Sequence, residues 1–326
     1  MNRAPHIFAV GNAMVDLIVG VSDQLLLEKG LEKGRMMLVD AEESSKRRGY
    51  VSSEIVKLAS GGSTGNTAAI IASLGGRATF VGKIGADDLG DFYANDMNAL
   101  GVSFLQGDFT DVPTANCLAM ITPDGERTMS TFLGACQLLH ERDIENYSLD
   151  DADILFIEGY LLDAPSSRDA AIRAVALAKE QGRQIALTLS DKNCVTRNLN
   201  AFYKLAEFTD ILIGNDSEMM EFWKAECWAD VCIKAEKASF TTVMTRGAQG
   251  STVIADGRTF HAPAHPVERV ADLIGAGDAF AGGYLYAHAA GMTPQDRLLL
   301  GSRCAAVVVE SNGARPHTPL ATLLAA

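Results

Sequence analysis

Asp278 follows Gly275, Ala276 and Gly277 in the stretch ADLIGAGDAFAGGYLYAHAAG (271–291), where a periodic apolar run opens a helix. The first turn of a helix presents unpaired amides and the positive end of its dipole, which together attract an anion such as phosphate. A carboxylate fixed there would repel that anion to no purpose, unless it takes a proton from an attacking hydroxyl. The combination points to phosphoryl transfer, with the amides of Gly275, Ala276 and Gly277 holding the transferred group and Asp278 as base. Asp272 is placed to cap the same helix. A glycine-containing loop before an ordinary packed helix is the plainer alternative.

Further stretches could supply the rest of such a site. In ASGGSTGNTAAIIASLGG (59–76), Gly61 and Gly62 allow a ligand close to the backbone, and Ser63 and Asn66 offer hydrogen-bond groups, which suits a polyhydroxylated molecule. The same letters match the G-x-S-x-G nucleophile elbow of serine hydrolases, but that elbow follows a buried strand, and SSEIVKLAS (52–60) before it reads as helical. In VGNAMVD, Asn12 and Asp16 leave an apolar run, and Asp16 could accept hydrogen bonds from two adjacent hydroxyls. In IGNDSEMMEF, Asn215 and Glu218 lie one helical turn apart; they suit either water around Mg²⁺ or a helix capping box. In MTRGAQGSTVI, Thr245, Gly247 and Gly250 would let a nucleotide approach the backbone, or simply form a hairpin. No P-loop and no G-x-G-x-x-G after the first strand is present.

These residues need a frame. Apolar runs at 6–10, 78–82, 153–159, 184–190, 210–215 and 240–245 alternate with amphipathic ones such as SSRDAAIRAVALAKEQG, which opens with a serine cap and closes on Gly182. That rhythm predicts a layered α/β fold with a mainly parallel sheet whose ligands gather beyond the carboxyl ends of its strands. Gly159, Ser190, Asn215 and Arg246 then share a rim. Segments of about 12–40 and 103–133 break the rhythm and read as strands of a small β-lid over that rim, with a hairpin turn at Pro123, Asp124 and Gly125. The whole of 1–326 is expected to form one α/β domain carrying this lid.

Composition narrows the function classes. With 28 Lys and Arg against 41 Asp and Glu, the net charge is −13, and the longest basic run is Lys46, Arg47 and Arg48, so nucleic acid is not expected as a partner. No apolar run reaches membrane-spanning length and no leader is apparent, so no membrane is expected and the expected location is the cytoplasm. Six cysteines lie without a C-x-x-C pair and read as reduced.

Taken in order, G-N-x-x-x-D, G-G-x-x-x-N, N-x-x-E and D-x-x-G-A-G-D resemble the ribokinase-like family of carbohydrate and purine kinases over nearly the whole chain. The resemblance implies a three-layer α/β/α sandwich with a β-lid, and transfer of the ATP γ-phosphoryl to a hydroxymethyl group with Mg²⁺. It implies Asp278 as base, Gly275 to Gly277 as anion hole, Asn12, Asp16, Gly62 and Asn66 at the acceptor, and Asn215 and Glu218 at Mg²⁺ and phosphate. GGSTGN, GERTMSTFLGAC, FIEGYLL and TLSDKNC look most like the adenosine kinase branch, where Arg127 matches a basic lid residue near the phosphates. Phe132 and Tyr160 are then candidate walls for a purine, or core aromatics. The chain departs from the family at Leu273, where Thr is usual. The expected partners are ATP and a small nucleoside or, alternatively, a sugar such as ribose or fructose; a nucleoside-binding protein without catalysis is a further alternative. Monomer or homodimer, and a monovalent cation, are left open.

Overall fold

The computed structural model describes residues 3–51, 56–108, 110–311, 313–316 and 318–325. In chain order its strands are β1 (His6–Val10), β2 (Met14–Gly20), β3 (Met36–Leu38), β4 (Lys57–Gly61), β5 (Arg77–Gly82), β6 (Val102–Gln106), β7 (Ala115–Ile121), β8 (Arg127–Phe132), β9 (Ile154–Glu158), β10 (Gln184–Thr188), β11 (Ile211–Asn215), β12 (Thr241–Thr245), β13 (Ser251–Ala255) and β14 (Arg258–Ala262). Its α-helices are α1 (Asp23–Glu28), α2 (Ala41–Gly49), α3 (Ser63–Ser73), α4 (Asp88–Ala99), α5 (Glu141–Glu145), α6 (Pro165–Glu180), α7 (Lys192–Ala206), α8 (Asp216–Trp223), α9 (Trp228–Ala235), α10 (Ala276–Ala289) and α11 (Pro294–Val309).

Strands apolar at every position need cover on both faces, and here they have it. A nine-stranded sheet runs β14-β13-β12-β11-β10-β9-β1-β5-β6. Its seven strands from β12 to β6 are parallel, and β13 and β14 are antiparallel. Because successive side chains point to opposite faces, Phe8, Val10, Leu155, Ile157, Ile185 and Leu187 enter a core with α6, α7, α8 and α9. Ile7, Ala9, Ile154, Phe156 and Ala186 enter a second core with α3, α4, α10 and α11. The result is the expected α/β/α sandwich. From β1 the chain builds outward to β5 and β6, then returns to β9 on the other side of β1. The carboxyl ends of β1 and β9 therefore flank a topological switch point, where such sheets bind ligands.

A second sheet, of order β3-β8-β7-β2-β4, is built from two separated stretches, 14–61 and 115–132. Its outer face packs under α1 and α2: Leu17, Val19, Leu118 and Met120 join Leu26 and Val51 in a small core, and Arg47 Nη1 donates to Ser130 Oγ at 2.8 Å. Pro123, Asp124 and Gly125 turn the β7–β8 hairpin.

Three local expectations need correcting. Residues 57–60, read as helical, belong to β4, because β2 offers them an antiparallel partner that local propensity does not foresee; residues 52–55 of that stretch lie outside the described residues. Helix α6 has no serine cap: it begins at Pro165, whose missing N–H suits the first helical position, and Gly182 follows its end at φ +65°. Asp272 does not cap α10, since Gly275 occupies the cap position without any side-chain bond.

Candidate active site

Helix α10 begins where the rim meets the second sheet, and its packing brings the candidate residues together. Gly275 has φ +77°, and a Cβ there would lie 2.6 Å from the Cα of Ala314. Only glycine admits this entry, and it leaves the first turn of α10 uncapped. One amide is already engaged: Ala276 N–H donates to Leu273 O at 3.3 Å. Of the three amides expected to form the anion hole, that of Ala276 is thus shared with a turn.

Further along α10, two adjacent glycines let it approach two neighbours. A Cβ on Gly282 would lie 2.7 Å from Ile70 of α3, and one on Gly283 would lie 2.9 Å from Gly301 and Cys304 of α11. The close α3 contact aligns the first turns of both helices. Ser63 Oγ then donates to Asp278 Oδ1 at 2.6 Å, and Asn66 Nδ2 donates to Asp278 Oδ2 at 2.9 Å. Thr67 Oγ1 also ties to the Asp278 carbonyl at 3.1 Å. Desolvation raises the Asp278 pKa, the bonds from Ser63 and Asn66 oppose this, and Arg315 opposes it by charge.

Ser63 is held by a carboxylate, with no histidine bonded to it. A strand does precede Ser63 after all, but it is β4, the edge of the second sheet with Lys57 and Leu58 exposed, and not the buried strand that the elbow follows. The hydrolase reading therefore fails on the strand that carries the serine.

Asp16 lies beside this pair on β2. A Cβ on Gly61 would meet Asp16 Oδ2 at 2.5 Å, and Gly62 at φ +89° passes so close to the Asn12 carbonyl that a Cβ would sit 2.0 Å from its oxygen. Burial raises the Asp16 pKa to about 6, with Arg315 and Arg127 pulling it down and Asp278 pushing it up. Asn12 is fixed through its backbone, its N–H donating to Glu158 Oε1 at 2.9 Å.

Glu158 was missed by the sequence reading. It ends β9 at the switch point, is 1% exposed, and also accepts the N–H of Thr64 at 2.9 Å and the Thr64 hydroxyl. It thereby joins the Asn12 turn to the start of α3. An acid closing the apolar run DILFIEG was the available signal. A second omission is the segment Gly313, Ala314 and Arg315: Gly313 N–H donates to Asp272 Oδ2 at 3.0 Å, Ala314 abuts Gly275, and Arg315 Nε donates to Asn66 Oδ1 at 3.0 Å. No spacing rule links it to residues so far back in the chain.

On the other side of the α10 terminus opens a cleft of about 500 Å³. Thr245, Gly247, Gly250, Ala276 and Gly277 form part of its wall, with apolar cover from Val267, Val270 and Leu273. Leu273 is 69% exposed at its lip. Arg127 of β8 reaches from the second sheet to Asp272, with Nη2 2.5 Å from Oδ2. Asn215 and Glu218 form the capping box, each side chain bonding the other's backbone N–H at 3.0 and 2.9 Å, with Asn215 Nδ2 also donating to Glu218 Oε1 at 2.6 Å. Burial raises the Glu218 pKa to about 7, and the charges of Asp191, Asp278 and Asp216 add to this.

Two expected contacts stand elsewhere. Phe132 pairs with Asn116, on the face of the second sheet opposite Asp16. Tyr160 packs against the core beneath α6 and α7. All six cysteines are free, and no helix among the described residues is long and apolar enough to cross a membrane.

A cluster of polar side chains and an apolar-covered cleft lie on opposite sides of the first turn of one helix, an arrangement that suits a phosphotransferase. Comparison with known proteins agrees. Residues 34–321 match the family model for pfkB family carbohydrate kinases, and the chain belongs to that family. It is an ATP-dependent phosphotransferase. It is similar to a solved adenosine kinase from Sinorhizobium meliloti (35% identity, 99% of each chain, TM-score 0.88). It is equally similar to a solved protein from Rhizobium etli described as a probable sugar kinase (34% identity, 100% of this chain and 98% of the other, TM-score 0.88). The adenosine kinase of Saccharomyces cerevisiae is 25% identical over 93% of this chain and 94% of its own.

Proposed function

We propose that the chain transfers the γ-phosphoryl of ATP to the 5′-hydroxyl of adenosine. The observation that carries a nucleoside over a free sugar is the inner face of the second sheet. Cross-strand pairing sets Ala59, Asp16, Cys117, Thr131 and Leu38 in one row, and Lys57, Ile18, Ala119, Met129 and Met36 in the next. Side chains directly opposite one another share a face, so Asp16 sits at the edge of an apolar platform. Leu38 and Met36 on it are 62% and 52% exposed. A ribose gripped by Asp16 would lay its base on that platform; a free sugar would leave it bare.

In this reading Asp278 takes the proton from the attacking hydroxyl as oxygen bonds to phosphorus and ADP departs, while the free amides at Gly275 and Gly277 hold the migrating group. ATP lies in the cleft bounded by Thr245, Gly247 and Gly250. Glu218 and Asn215 fit an Mg²⁺ held through water and phosphates: both Glu218 oxygens are engaged by Asn215, and no three His, Cys, Asp or Glu side chains gather as ligands among the described residues. When bound, the ion neutralises phosphate charge. The second sheet serves as a lid, with Arg127 reaching from it toward the phosphates.

The test is ADP release with Mg-ATP across adenosine, other nucleosides, ribose and fructose. Turnover with adenosine above all others is expected. Turnover on free sugars alone would assign the chain to the sugar kinases, the reading that the Rhizobium etli relative favours. Adenosine binding by calorimetry with no turnover would make it a binding protein.

A further inference from the structure

Arg315 lies outside every motif singled out in the sequence, yet it reaches the centre of the site. Its side chain is 12% exposed and enters between three elements. Nε donates to Asn66 Oδ1 on α3 at 3.0 Å, Nη1 donates to Ser60 Oγ at the end of β4 at 2.5 Å, and Nη2 lies 3.5 Å from Met97 Sδ on α4. Ser60 in turn donates to Asp96 from both its hydroxyl and its N–H, at 2.5 and 3.1 Å, with Nη1 3.7 Å from the same carboxylate.

Two physical consequences follow. A guanidinium has only donors, so it compels the Asn66 oxygen to face it and leaves the Asn66 nitrogen for Asp278. A reversed amide would set its oxygen against the carboxylate. The second consequence is charge. The charge of Asp278 raises the pKa of Asp16 on β2, Glu158 on β9 and Glu218 on α8, so four acids lie near one another. Arg127 on β8 is paired with Asp272, and Arg315 is the cation acting on Asp278. Asp96 of α4 and Tyr93, whose hydroxyl donates to Gly61 O at 3.1 Å, lie on the far side of Arg315.

We propose that Arg315 is a positioning residue of the phosphoryl transfer: it locks the Asn66 amide toward Asp278 and supplies the buried positive charge that lets Asp16 and Asp278 be ionised together. The inference builds on the kinase reading of the site. It adds a role for a residue whose guanidinium is bonded to the side chains of Asn66 and Ser60.

The experiment compares wild type, Arg315→Gln and Arg315→Lys. In Arg315→Gln the acid limb of kcat/KM should move to higher pH by roughly one unit or more, as expected on losing a nearby opposite charge, with much of kcat recovered at pH 9. Arg315→Lys should hold the limb near its wild-type position but raise KM for the acceptor, because an ammonium cannot bridge Asn66 and Ser60 together. Carboxyl-carbon NMR of aspartate-labelled protein, with Asp278→Asn marking the resonance, gives a readout that needs no turnover: the Asp278 midpoint should rise in Arg315→Gln. An unmoved midpoint and an unmoved limb, with only a lower melting temperature, would overturn the proposal. If Arg315→Gln does not fold, Arg315→Lys decides it: a wild-type KM for the acceptor would overturn the locking role. Loss of all phosphotransfer in wild type would instead sink the kinase reading, while the NMR result would still stand.

Discussion

Asp278 accepts from Ser63 and Asn66 with both oxygens. In Asp278→Asn the amide oxygen can still accept from Asn66 while the Ser63 hydroxyl turns to accept from the amide nitrogen, so the base is removed with the shape kept. Asp278→Asn should lower kcat by roughly 10² to 10⁴ while leaving acceptor affinity largely intact, as read by ADP release and calorimetry; near-normal turnover would refute the assignment. Asp16 offers a different signature. Its folded pKa is raised from the ordinary 3.8 to about 6, so the folded state holds that proton more tightly than the unfolded chain. The associated stability is fully present below about pH 4 and lost as pH rises through about 6. Asp16→Asn should therefore raise the melting temperature at pH 8 by a few degrees, for on the order of 2 kcal/mol at most, and little at pH 4.5, while acceptor binding falls. Melting curves at the two pH values decide it. A gain at pH 4.5 equal to that at pH 8 would mean that the charge is not the cause.

In the proposed mechanism the chemistry depends on the pair α3 and α10, because its spacing sets the reach of Ser63 and Asn66 to Asp278. Gly282 is the contact point, with Ile70 already 2.7 Å from where a Cβ would stand. Gly282→Val should force the helices apart at a cost of about 1–3 kcal/mol. Since a misplacement near 1 Å can reduce a rate about 10²-fold, kcat should fall further than the lost stability alone would bring about. Folded protein with full kcat would show that the helix spacing is not critical. At this scale the sequence was partly legible. The apolar runs 6–10, 153–159 and 184–190 were readable as strands because both of their faces are covered. β4 was misread because its partner β2 lies some forty residues earlier, and the cap of α6 was misplaced because proline and serine signals overlap at its start.

For the whole molecule, the contact of most consequence joins the second sheet to the loop before α10. Arg127 is 23% exposed and Asp272 5%, so the pair is partly shielded and ties the second sheet to the loop that leads into α10. Acting as a lid, the second sheet would exclude water from the reacting phosphate. Arg127→Ala should lower coupled turnover by roughly 10-fold or more and raise the share of ATP hydrolysed without acceptor. Parallel assays with and without adenosine measure that share; an unchanged ratio would argue against the lid.

The order of motifs was enough to place this chain among the pfkB kinases, and the apolar runs were enough to call for a layered α/β fold, because both signals are local: a helix start, a glycine turn and a strand covered on two faces each leave their mark within a few residues. What decided the site lies across the chain. Glu158 binds the start of α3, Arg315 meets Asn66, and Asp16 becomes the edge of an apolar face only through the pairing of five strands. Those partners are separated by tens to hundreds of residues, and burial and charge at one position depend on all of them at once, so only the folded chain could bring them together.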